Sequence, residues 1–206
     1  MLGSYIAART WPDAAWAYGL FGGMALTFFT LVWISPPGWI ENWEFGAWGE
    51  EATGKELARL DPARWTVIHD LSTGHGNVDH LVIGPGGVFV LDSKRLGGRV
   101  VVQGDEVRVE RLDDDNLSYT HGGVASIRRL AAQTSQRMLD ATRIRTWVTP
   151  VMVVWADFPQ RVAEGDCTVV HGDELVRWLE SQPARIAPAN VPRIAQAARS
   201  AWASAE

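Results

Sequence analysis

Along the middle of the chain, short apolar runs alternate with clusters of turn residues. Asn77 to Lys94 reads N-V-D-H-L-V-I-G-P-G-G-V-F-V-L-D-S-K. Two runs rich in Val, Ile and Phe flank Gly84-Pro85-Gly86-Gly87, a pattern that predicts a β-hairpin. Pro-Gly suits the primed two-residue hairpin turns poorly, so the four-residue loop Gly84 to Gly87 is the expected connection. Either symmetric loop places Asp79 opposite Asp92. Before the hairpin, residues 46–60 carry Leu57 and Leu60 at helical spacing, with Thr53 and Glu50 extending that face. Trp65 to Asp70 reads as a first strand. After the hairpin, Arg99 to Gln103 and Glu106 to Leu112 read as a second one around Gly104-Asp105. Val124 to Thr142 has the apolar stripe of a helix, through Ile127, Leu130, Ala131, Met138 and Leu139. Trp147 to Trp155, with its V-M-V-V-W run, is expected to be a buried strand, and Cys167 to His171 another. Asp173 to Ser181 and Val191 to Ala203 complete the pattern as helices, with Pro192 in the first turn of the last one.

The first part of the chain follows a different pattern. No charged residue occurs from Ala14 to Ile40, and the mostly apolar run ends at Ser35-Pro36-Pro37-Gly38. A helix needs ~20 apolar residues to cross a bilayer, and Trp and Tyr gather towards the two ends of this run, as at a membrane interface. The run is too long for the apolar region of a signal peptide and no small-residue cleavage site follows it. The expectation is one transmembrane helix over residues 14–35, within an anchor segment 1–45. A domain core at 46–160 follows, and residues 161–206 add a strand and helices that complete it. Arg9 biases the amino terminus weakly towards the cytoplasm.

Composition changes this picture in three places. The 206 residues carry a net charge of −5, which argues against a uniformly basic nucleic-acid-binding surface. The one cysteine, Cys167, excludes an internal disulfide and a multi-cysteine zinc site. Of the 19 Lys and Arg residues only Lys55 and Lys94 are lysine, so Lys94 stands out as a cation whose proton affinity its surroundings can tune.

The candidate chemistry gathers on the central hairpin. Asp92 and Lys94 are two apart on one strand and share a face. Asp79 opposite Asp92 would set like charges against each other, which destabilises a sheet unless something lies between them. A divalent cation suits carboxylate oxygens; an edge hairpin with solvated charges is the alternative. Glu50 points inward from its helix and needs a partner or a metal there, or else it marks the helix start, where acids favour the dipole. His69, His75 and His80 share neither a face nor a zinc-ligand spacing. Asp113-Asp114-Asp115-Asn116 reads as a solvated acidic loop. Arg128, Arg129 and Arg137 make the helix at 124–142 basic, either as a solvated face or as a contact to DNA.

The segments G-E-E-A-T at 49–53, H-D at 69–70, the hairpin at 76–94 and Gly98 resemble the nuclease-related domain (NERD) family, within the restriction-endonuclease-like superfamily and its Asp…(Asp/Glu)-x-Lys pattern. The likeness covers roughly residues 46–155. It implies an α/β fold with an αβββαβ core and a mixed sheet, and a magnesium-dependent phosphodiesterase site. Asp79 and Asp92 match the metal-binding acids, Lys94 the catalytic lysine, and Glu50 the acid on the first helix. Asp92 stands where the wider superfamily more often has Glu. Gln133 matches a polar residue on the basic helix, and Arg128, Arg129 and Arg137 would meet DNA. The implied protein is a membrane-anchored nuclease; because a phosphodiesterase site needs DNA and Mg²⁺, its domain is expected in the cytoplasm, against the weak Arg9 bias, which would set it outside. The alternative is a non-catalytic membrane-bound module that keeps the fold to bind nucleic acid or protein.

Overall fold

The computed structural model describes residues 15–34, 38–72, 77–110, 118–143 and 145–203. The chain separates into two compact units, Met1–Phe45 and Gly46–Glu206. In the first unit an uncharged helix, α1, spans Ala15–Ile34. Its large side chains are exposed on every side, among them Trp16, Phe21, Leu26 and Phe29. Among the described residues, however, no helix is long and apolar enough to cross a membrane. The expected span, 14–35, includes positions outside the described residues.

The second unit is built on one mixed sheet. Helix α2 is Gly38–Leu57, followed by β1 (Thr66–Ser72), β2 (Asn77–Gly84) and β3 (Gly87–Gln103). Strands β4 (Glu106–Glu110) and β5 (Ser118–Thr120) come next, then helix α3 (Gly123–Thr142) and β6 (Val148–Asp157). Short strands β7 (Val162–Ala163) and β8 (Thr168–His171), helix α4 (Leu175–Ser181) and helix α5 (Val191–Ala203) finish the chain. The strand order is β1-β2-β3-β6-β8-β7. Neighbours β1–β2, β2–β3 and β7–β8 are antiparallel, while β3–β6 and β6–β8 are parallel. With the β4–β5 excursion set aside, α2 to β6 runs helix, three strands, helix, strand.

Alternation along β3 decides the layers. Val88 and Val90 pack with Ala131, Met138, Ala195 and Trp202, so α3 and α5 cover that face. Phe89 and Leu91 pack with Leu57, Leu175, Trp178 and Leu179, so α2 and α4 cover the other. The two apolar segments read as separate strands, at 87–94 and 99–103, are one 17-residue strand. Its first half pairs with β2 and β6. Its second half, beyond an irregularity between Arg95 and Arg99, pairs with β4. Gly98 permits that switch, since a Cβ there would lie 2.3 Å from the Glu110 carbonyl oxygen.

The hairpin register is the expected one, but the loop is not. Gly84 pairs with Gly87, leaving the two residues Pro85-Gly86 as the turn. Tertiary bonds override the local preference: the Arg185 and Ile186 amides both donate to the Pro85 carbonyl, at 2.8 and 2.9 Å. Gly87 has φ +143, where an L side chain is strained.

Candidate functional site

The β2–β3 ladder ends at His80↔Leu91. One step further, where the register would set Asp79 against Asp92, a side chain takes over from the backbone. Asp79 Oδ2 accepts the Ser93 amide at 3.0 Å. Asp92 and Lys94 continue the alternation of Val88 and Val90, so both lie on the α3 face, and Ser93 lies on the α2 face. Lys94 Nζ is 2.7 Å from Asp92 Oδ2, with both side chains partly buried.

Helix α2 is seated on this point by Thr53. The Thr53 hydroxyl donates to the Gly49 carbonyl (2.9 Å) and accepts from Ser93 Oγ (2.8 Å) and Trp155 Nε1 (2.9 Å). One donor and two lone pairs are thereby all used. The hydroxyl is fully buried and ties α2 to β3 and β6 at once. Gly49 brings the helix backbone close to strand β3, since a Cβ on it would sit 3.6 Å from the Arg95 nitrogen. Glu50 follows directly.

The charges act on one another. Asp79 is pushed up to about 7, first by burial, against the pull of the Ser93 amide, and then by the charges of Asp92 and Glu50, with Lys94 opposing. Glu50 is also raised, by burial first, then by Asp70 and Asp92, while Lys94 lowers it. Four carboxylates, Glu50, Asp70, Asp79 and Asp92, thus share one region with a single lysine. Asp70 adopts φ 54, a left-handed conformation uncommon for a non-glycine residue.

The donor chemistry fits a hard divalent cation, because the acids repel one another and offer only oxygen. Among the described residues no group of three or more His, Cys, Asp or Glu side chains is gathered to hold a metal ion as it stands.

The other sequence candidates fall in several places. His69 and His80 are joined through their Nδ1 atoms at 2.8 Å. Burial and the His69 charge lower His80 to about 4. Its Nε2 has no hydrogen-bond partner of good geometry, although the Glu50 carbonyl favours its cation. His75 and the acidic stretch at 113–116 lie outside the described residues. On α3, Arg128 pairs with Asp105 (3.2 Å) and Asp166 (2.9 Å). Arg137 donates to the Ser72 carbonyl and lies 5.1 Å from the Trp202 ring centre. Arg129 and Gln133 are exposed on the same helix. A groove of about 770 Å³ runs beside α3, lined by Arg128, Gln136, Arg145 and Trp147 among others, and none of the four site residues borders it.

Sequence reasoning missed three contributors. Thr53 was readable only as part of a helix face. Asp70 looked like the last residue of a strand. His121 sits just before α3, where its Nδ1 accepts the Gly123 amide at 3.1 Å. Burial lowers its pKa first and the Lys94 charge second, with Asp92 opposing. A lone histidine before a helix gives no such signal in sequence.

A family model described as nuclease-related domain, NERD, matches residues 45–155. No curated protein and no solved structure matches the chain. The matched span starts in the helix that carries Glu50, ends at Trp155, the β6 residue level with Arg95 of β3, and takes up more than half of the sequence. By that match, this chain belongs to the nuclease-related domain family.

Proposed function

We propose that the chain is a magnesium-dependent, restriction-endonuclease-like phosphodiesterase acting on DNA, with Asp79, Asp92, Lys94 and Glu50 as its working residues. The observation that carries this reading is the geometry at the end of the β2–β3 ladder, where Asp79 accepts the Ser93 amide at 3.0 Å between Asp92 and Lys94, themselves 2.7 Å apart, with the charge of Glu50 felt at Asp79. Such an unbalanced carboxylate cluster costs stability in the empty fold and is a mark of functional sites. Asp79 and Asp92, with the backbone carbonyl of Ser93, would hold the cation. Bound Mg²⁺ supplies Lewis-acid neutralisation of the phosphate. Lys94, drawn away from Asp92, either places its ammonium against the phosphate oxygens or, having first released its own proton to solvent, takes a proton from the attacking water on its neutral amine. Glu50 orients that water as a hydrogen-bond acceptor. Arg129 and Gln133 are left to meet the DNA backbone on α3, whereas Arg128 and Arg137 carry structural bonds as well.

The exposed, uncharged surface of α1 supports attachment to a lipid bilayer through residues 14–35. A cytoplasmic domain suits the reading, since DNA and Mg²⁺ are both there. A second reading, a non-catalytic binding module, is favoured by the closed Lys94–Asp92 pair at 2.7 Å. The deciding experiment is cleavage of plasmid and linear DNA by the full-length protein in detergent, with Mg²⁺, with Mn²⁺ and with chelator. Metal-dependent cleavage lost in Asp79→Asn is expected. A folded protein that fails to cleave DNA with any of these divalent ions would leave the binding-module reading in its place.

A further inference from the structure

We infer that Trp48, backed by Trp155 and Arg95, is a base-stacking platform that favours unpaired nucleic acid over intact duplex. The inference rests on the phosphodiesterase reading for its substrate class. Trp48 precedes Glu50 by two residues on α2, and Arg95 follows Lys94 on β3. Both are thus chain neighbours of site residues, with Arg95 and Trp155 on the α2 face of the sheet.

The geometry is that of a fixed, open aromatic surface. Trp48 keeps 43% of its surface exposed, although indoles are usually well covered in a fold. Its ring meets Trp155 edge to face, with centroids 5.6 Å apart at 82°. The Arg95 guanidinium carbon lies 4.6 Å from the Trp48 ring centre. Trp155 is itself held by its Nε1 bond to the buried Thr53 hydroxyl and by the His171 ring at 6.0 Å. Trp48 is thus braced before any ligand arrives, which limits the entropy lost on binding.

The chemistry selects the partner. A braced indole with a guanidinium over one face offers its other face for π-stacking together with positive charge, the combination that single-strand binders use on bases. A purely apolar occupant would gain nothing from Arg95. In a duplex the faces of the bases are already stacked on their neighbours. Only an unpaired, frayed or single-stranded base can lie on Trp48.

The test is fluorescence anisotropy of the full-length protein in detergent micelles, with Ca²⁺ present. The probes are a dye-labelled oligothymidine and an equally long duplex carrying the same dye. Trp48→Ala is expected to weaken oligothymidine binding about tenfold, within the range of one lost base stack. Duplex binding should change less than about twofold, and Trp48→Phe should keep most of the affinity, because a phenyl ring still stacks. If Trp48→Ala lowers the melting temperature, the comparison moves to Trp48→Phe and Arg95→Gln. Arg95→Gln should then weaken oligothymidine binding about threefold, roughly the cation–π part alone. Unchanged oligothymidine affinity in Trp48→Ala, or an equal loss on duplex, overturns the inference. So does a Trp48→Ala protein that keeps oligothymidine but leaves the membrane fraction, since Trp48 would then be a lipid contact. A protein that binds oligothymidine through Trp48 yet never cleaves DNA would defeat the phosphodiesterase reading alone. One that cleaves with Mg²⁺ but is indifferent to Trp48→Ala would defeat the platform alone.

Discussion

Asp79 holds its proton up to about pH 7 in the fold, against an ordinary value of 3.8. Between those values the folded chain binds a proton that the unfolded chain has released. Stability therefore falls as pH rises from about 4 to 7, and the cost is fully present above 7. His80 works the other way. Its folded value of about 4 lies below the ordinary 6.5, so its contribution is present above 6.5 and is lost as pH falls towards 4. Comparing wild type with Asp79→Asn isolates the first effect, because Asn keeps an oxygen for the Ser93 amide. At pH 8 without divalent ions the variant should melt higher by roughly 3–8 °C. The gap should close towards pH 4, and a wild type that melts at or above the variant at pH 8 would refute the account. Lys94→Arg should lower metal-dependent cleavage by about 100-fold despite keeping the charge, because the guanidinium cannot exchange its proton and its fork is larger. Near-normal turnover would make Lys94 a phosphate contact only. At this scale Asp79, Asp92 and Lys94 were legible because strand alternation and a symmetric turn fix who faces whom. Asp70 and His121 were not, since a positive φ and a ring placed by a later helix arise from contacts distant in sequence.

At the scale of elements, Thr53 is the joint between α2 and the sheet. Thr53→Val fills the same space but leaves Ser93 Oγ and Trp155 Nε1 without their acceptor. Each buried orphan costs about 1–3 kcal/mol, so a loss of about 2–4 kcal/mol is expected in a urea melt. Thr53→Ser, which keeps the hydroxyl, should recover most of it. Because Glu50 rides on the same helix, cleavage should fall in the Val variant even where it remains folded. A Val variant as stable as wild type would mean that α2 is held by Leu57 and Leu60 alone. The elements were largely readable from their periodicity, down to α3, β6 and α5. The merger of two predicted strands into β3 was not, because a strand that changes partners halfway has no local mark except Gly98. The two-residue turn was missed for a related reason: its stabilising donors, Arg185 and Ile186, lie about a hundred residues away.

For the whole molecule, α1 decides handling and location. Its exposed Trp, Phe and Leu side chains form an uncharged surface that water does not favour. Full-length protein should therefore stay with the membrane fraction through salt and carbonate washes and require detergent. Recovery in the soluble fraction would refute attachment by residues 14–35. A reporter fused after Glu206 should be active only if it works in the cytoplasm, and protease digestion of the domain on intact cells would reverse that assignment. The sequence pointed to this segment through its missing charges.

The parallel pairing of β3 with β6, from Val88↔Val148 to Arg95↔Trp155, has a consequence for synthesis on the ribosome. The strand that carries Asp92 and Lys94 emerges some sixty residues before the partner that closes its second edge. Until β6 arrives, the hairpin exposes a long Val- and Phe-rich flank, the kind of edge that invites pairing with another chain. Contacts this distant in sequence also form slowly. The nascent chain thus passes through a vulnerable interval that ends only when Trp155 can reach the Thr53 hydroxyl. At that moment the last bond of the joint forms, and the acids of α2 and β3 are first locked in register.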